Sequence, residues 1–148
     1  MDNILTLSDV HESLTVLGYE ATLSPNCVVV KVGGLSKPFP AVITHNQMNR
    51  HFQFTCQLTK LGLIPEDKLA AFALAALDAN SRIAPFAYAL LTDSDDPKKD
   101  KPEDWQVVLT HSIPLGDFSR SELASAMESL LTALVDSGNV MNTLKAKL

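Results

Sequence analysis

Leu69-Ala-Ala-Phe-Ala-Leu-Ala-Ala-Leu-Asp-Ala79 holds one polar residue in eleven, and after six intervening residues comes Phe86-Ala-Tyr-Ala-Leu-Leu91. The first stretch reads as a helix and the second as a short strand. Pro65 fits the first helical position, Glu66 and Asp67 place negative charge in the first turn, and Asn80 is expected to close the helix in a left-handed conformation. Leu69, Phe72, Ala73, Ala76 and Leu77 recur at helical spacing and are assigned to a sheet. The opposite face carries Ala70, Ala71, Leu74 and Ala75, where a surface helix would show Lys or Glu. A helix apolar on every side needs cover on more than one side, and small residues permit close backbone approach. The face is therefore read as a subunit interface, the competing reading being alanine chosen for helix propensity alone.

Upstream, Thr6 or Ser8 can cap a helix with Leu7, Val10, Leu14 and Leu17 on one stripe, and Gly18 can stop it. Tyr19 to Leu23 is extended and leads to a turn at Ser24-Pro25-Asn26. Cys27 to Val32, Phe39 to His45 and His51 to Leu58 then read as three strands. The last is the clearest, since Phe52, Phe54, Cys56 and Leu58 alternate with His51, Gln53, Thr55 and Gln57. Alternation also turns Val28, Val30 and Val32 inward. Cys27 and Cys56 then lie on opposite faces and cannot form a disulfide.

Downstream, residues 93–104 are proline-rich and charged, as in a solvated loop. Asp93 and Asp95 stand where a calcium loop begins, but Pro97, Lys98 and Asp104 break the pattern. Trp105 to Ile113 is a strand paired with Phe86 to Leu91. Ser119-Arg-Ser-Glu122 has the form of a capping box and starts a long helix with Leu123, Met127, Leu130, Leu131, Leu134 and Val135 on its core side. Asp136-Ser-Gly-Asn139 is expected to end or bend it, with Val140 to Leu148 adding a final turn or two.

The 148 residues are 46% apolar and 20% charged, enough to bury a core as one α+β domain, residues 1–148, in the order α-β-β-β-α-β-β-α. The formal charge is −5 and the only arginines are Arg50, Arg82 and Arg120, so a phosphate-binding surface is not expected. The longest apolar run, Leu69 to Leu77, is too short for a membrane span, and no basic segment precedes an apolar run near Met1. Two unpaired cysteines fit a reducing, cytoplasmic setting.

The element order, the acidic charge, the Leu77-Asp78-Ala79-Asn80 helix ending and the long C-terminal helix together resemble the type III secretion chaperone-like superfamily. This group includes class I chaperones of the Tir-chaperone type and the bacterial YbjN-like proteins. Asn80-Ser-Arg-Ile-Ala-Pro85 and Ser129-Leu-Leu-Thr-Ala-Leu-Val-Asp136 are similar to segments of the uncharacterised YjfI-like bacterial proteins. The likeness spans Val10 to Asp136. It implies a non-enzymatic homodimer that binds an extended or partly unfolded segment of a client protein. It also implies that the second helix and the strand after it, here Phe86 and Tyr88, share the dimer contact. Client contacts are expected on the outer sheet face, where Val29, Val42, Ala87, Ala89 and Val108 are the alternation partners of core residues. The Gly33-Gly-Leu-Ser-Lys-Pro38 link departs from the pattern in being long.

Chemistry finds little support. His45 and His51 flank one turn and could approach as two metal ligands, yet no third ligand completes a site. There is no nucleophile elbow, Walker loop or dinucleotide fingerprint, and the Asp95-Asp96 pair lies in a solvated loop. No cofactor or metal is expected. A small-ligand module remains as the alternative, with a cavity between sheet and C-terminal helix lined by Phe52, Phe54 and Trp105.

Overall fold

A computed structural model describes residues 3–33, 38–46, 48, 50–92 and 101–142. The expectations for residues 34–37, for 93–100 and for the end of the chain from 143 lie outside these. Thr6 caps α1 (Leu7–Val16) through a capping box, its hydroxyl accepting from Asp9 N while the Asp9 carboxylate accepts from Thr6 N. Gly18, at φ 93°, stops the helix as its freedom allows. Four strands follow: β1 (Ala21–Leu23), β2 (Cys27–Val32), β3 (Phe39–Asn46) and β4 (His51–Lys60). The extended stretch before Ser24 thus pairs with β2, and the sheet has six strands rather than five.

After a 3-10 turn at Glu66–Lys68 the chain forms α2 (Leu69–Ala79). Pro65 precedes that turn instead of opening the α-helix. Then come β5 (Ala87–Leu91), β6 (Gln106–Pro114) and α3 (Arg120–Asn142). Glu122 N donates to Ser119 Oγ at 3.2 Å, so the expected cap is in place.

All strand pairs are antiparallel, in the order β1-β2-β3-β4-β6-β5. β6 fills the slot beside β4, which leaves β1 and β5 as the edges. The inner face is built from Val28, Val30, Val32, Ala41, Ile43, Phe52, Phe54, Cys56 and Leu109, packed against Val10 and Leu14 of α1 and the apolar side of α3. Phe52 and Phe54 are fully buried and touch Phe118 at ring-centroid distances of 5.1 and 6.2 Å. Each contributes roughly 1.5–3 kcal/mol by leaving water. Both are core residues, 0% exposed, whereas Trp105, the third residue expected to line a ligand cavity with them, is half-buried.

A smaller cluster joins Phe72, Ala76 and Ala79 of α2 to Val107 of β6 and Val140 of α3. This contact explains why α3 does not stop at Asp136-Ser-Gly-Asn139. Ser137 is buried with its hydroxyl donating to the Leu134 carbonyl at 2.6 Å, and Val140 is anchored against α2, so packing overrides the local preference of Gly138 and Asn139. Leu131 (46% exposed) and Val135 (71%) lie outside the core stripe expected for them, their places being taken by Ala126 and Ala133.

Candidate interaction surfaces

α2 lies in the seam between the sheet and the end of α3, and this sets which of its faces is covered. Phe72, Ala76 and Ala79 are buried, Leu69 and Ala75 are half-buried, and Ala73 and Leu77 are exposed. The buried face is turned by about 60° from the one expected, because the helix packs on Val140 as well as on the sheet. The free face therefore consists of Ala70, Ala71, Ala73, Leu74 and Leu77, with Leu74 69% and Leu77 67% exposed. Ala75 belongs to the covered side.

Between α2 and edge strand β5 runs an apolar groove of about 270 Å³, floored by Phe72, Tyr88 and Val107 and rimmed by Leu77 and Leu90. Leu63 and Leu91 are exposed as well. Tyr88 is half-buried in the groove, and its hydroxyl is buried with no hydrogen-bond partner among the described residues. Burial, with a lesser effect of Asp136, pushes its pKa up to about 12. Phe86 is 1% exposed and packs edge-on to Phe54, so it is a core residue and not an interface one. A salt bridge joins this region to α3: Arg82 donates to Asp78 at 2.6 Å and to Asp136 at 3.5 Å.

Side chains from neighbouring helices reach both edge strands. His11 Nε2 donates to the Ala21 carbonyl of β1 at 3.2 Å, and Asn80 Oδ1 accepts from Tyr88 N of β5 at 2.7 Å. Asn80 is right-handed (φ −57°), not left-handed, and it ends α2 by tying it to the next strand.

The outer face of the sheet carries one continuous cross-strand row, Thr22-Val29-Val42-Thr55-Thr110-Ala87. Val29, Val42, Ala87 and Ala89 are partly exposed there, whereas Val108, between Gln57 and Ala89, is fully buried and offers no contact surface. On the described strand positions of this face the charged residues are Lys31 and Lys60, both near strand ends. Cys27 faces outward and Cys56 inward, and both thiols are free.

The histidine pair expected across the β3-β4 turn is separated by the register. His45 opposes Phe52 and stacks on it at 4.8 Å, while His51 opposes Asn46 on the other face. Sequence reasoning missed the groove, since Leu77 had been assigned to the core and Leu90 sits in an unremarkable strand.

No protein-family profile matches the sequence, and no curated protein is similar to it. Solved structures do match. YbjN from E. coli, for which a role in transcription regulation has been suggested, aligns with a TM-score of 0.62 at 12% identity, over 99% of this chain and 94% of that one. The chain has a YbjN-like, secretion-chaperone-like fold. An uncharacterised protein from Methanothermobacter thermautotrophicus gives 0.55 at 12% identity, over 95% of this chain and 96% of that one. A chain of the HopA1–SchA chaperone–effector complex gives 0.51 at 15% identity, over 82% and 84%. Among the described residues no helix is long and apolar enough to cross a membrane.

Proposed function

We propose that the protein is a cytoplasmic homodimer of the chaperone type that holds an extended segment of a partner protein and performs no chemistry. The observation that carries this reading is the uncovered apolar surface of α2 and β5, where Leu74, Leu77 and Leu90 are 69%, 67% and 47% exposed beside an open groove. Contiguous apolar surface of this kind marks association sites. The twin subunit covers the free face of α2, with Ala70, Ala71 and Leu74 at its centre and Tyr88 beneath the rim. The client lies on the outer sheet face along Val29, Val42, Ala87 and Ala89, whose small apolar side chains suit an extended chain. A complex between a chaperone and its effector among the structural neighbours supports a protein partner. Direct DNA reading, by contrast, finds no support in a chain of net charge −5 with three arginines.

Light scattering on the wild type and on Ala71→Glu tests the dimer. A dimeric wild type and a monomeric, folded variant are expected, because a buried unpaired carboxylate at the contact is costly. A monomeric wild type, or a variant that dimerises unchanged, overturns the proposal.

A further inference from the structure

α3 runs through both apolar clusters of the molecule and is held differently in each. Leu123, Ala126, Met127, Leu130, Ala133 and Leu134 are sunk in the main core. Beyond Asp136 the helix meets the smaller cluster through Val140, which is 2% exposed, and the half-buried Met141. Among the described residues the two clusters share one side chain, that of Tyr88.

The passage from one cluster to the other falls at a weak point of the helix. Arg82 reaches across from the segment before β5 to Asp136 at 3.5 Å and pins α3 there. Ser137 follows, buried, with its hydroxyl turned back onto the Leu134 carbonyl, and Gly138 comes next. Back-bonding serines and Gly/Ser pairs are places where helices bend. Glycine also gives up more freedom than any other residue on joining a helix, and Asn139 adds a poor helix former. The last turn of α3 has no cation to offset the helix dipole. Residues 137–142 therefore gain little from being helical, and Val140 is their main anchor on α2. Beneath them lie Phe72, Ala76 and Ala79 of α2 and Val107 of β6, all buried. Phe72, Ala76 and Val107 also line the groove beside β5, on the flank of α2 marked by Ala73 and Leu77, whereas Ala75 and Ala79 lie on the opposite flank. Lifting the end of α3 would bare the same apolar stripe from its second side. The Tyr88 hydroxyl, buried at this seam without a hydrogen-bond partner, would gain water at the same time, which offsets part of the cost of opening.

We propose that residues 137–142 of α3 form a hinged cover that lifts about Ser137-Gly138 while the main core stays folded, and that its closed position withholds the Phe72-Ala76-Ala79 stripe of α2 from solvent. The device depends on neither the dimer nor the client reading. Thiol labelling tests it. In a Cys27→Ser background, Ala79→Cys places a thiol beneath the cover, and Cys56, 0% exposed in the main core, is the internal reference. Without urea the thiol at position 79 should react at least about tenfold faster than Cys56 and depend less on urea, the two rates converging near the unfolding midpoint. Gly138→Ala should slow the reaction at position 79 about twofold to fivefold, the change expected from exchanging glycine for alanine within a helix. If Ala79→Cys fails to fold, Val140→Cys, on the cover itself, carries the same comparison. Equal rates with equal urea dependence mean that the cover opens only with the whole molecule, and overturn the proposal. An unchanged rate at position 79 in Gly138→Ala means that α2 moves and α3 does not, and overturns it as well.

Discussion

Asn80 stands at the last turn of α2 with its side chain committed to β5. Asn80→Ala removes the acceptor for Tyr88 N and should cost about 1–2 kcal/mol, with Asn80→Asp retaining most of the stability; urea unfolding measures both. The sequence marked this residue as a helix end but with the wrong backbone conformation, because a side-chain bond to a strand eight residues away leaves no local trace. Cys56 gives a second residue-level test. Burial pushes its thiol up to about 11 from an ordinary 9, so the folded state holds its proton more tightly than the unfolded one. Stability from this source is whole below pH 9 and declines as pH rises through 11, by on the order of 2 kcal/mol. Cys56→Ala should flatten the decline in a pH series of unfolding midpoints. In the native state a thiol reagent should modify Cys27 and leave Cys56 until unfolding. His111 has the opposite sign. Its lowered pKa places the loss on the acid side, as pH falls below the ordinary histidine value near 6.5.

At the level of elements, β2 and β4 were the most legible strands because each has one buried and one wetter face. Phe52, Phe54 and Cys56 alternate with polar neighbours, and their burial follows that alternation. The helices were less legible. α2 has apolar residues all round, so its sequence permits several rotations, and only the position of Val140 selects one. α3 runs past Gly138 for a similar reason, since the stop signal is local and the packing that overrides it comes from α2. This leads to a stability prediction. A Cβ at Gly138 meets nothing within 4 Å, and its backbone is helical, so Gly138→Ala should raise stability by about 0.5–1 kcal/mol in thermal or urea unfolding. Gly62 is the contrasting case. There a Cβ would stand 2.7 Å from the Glu103 backbone oxygen, and Gly62→Ala should destabilise the contact between the chain after β4 and the chain before β6.

For the whole molecule, an antiparallel sheet packed by helices was readable from element order, one strand short because β1 was read only as an extended stretch, whereas the exposure of the candidate surfaces was only partly readable. Ala70, Ala71 and Leu74 are free as expected, yet Ala75, Phe86 and Val108 are covered, because exposure depends on which neighbour each element meets. Amide exchange should show the same hierarchy. Protection is expected to peak in β2, β3, β4 and β6, which are paired on both sides, and to be least in β1 and at Leu90 and Leu91 of β5; uniform protection across the six strands would contradict this picture. The side chains of His11 and Asn80 have a further consequence for behaviour in concentrated solution. Each occupies a backbone group at a sheet margin that another copy would need in order to add a strand, so the molecule carries its own chain terminators, one at each end. Without them, the same margins would be templates for end-to-end growth into filaments.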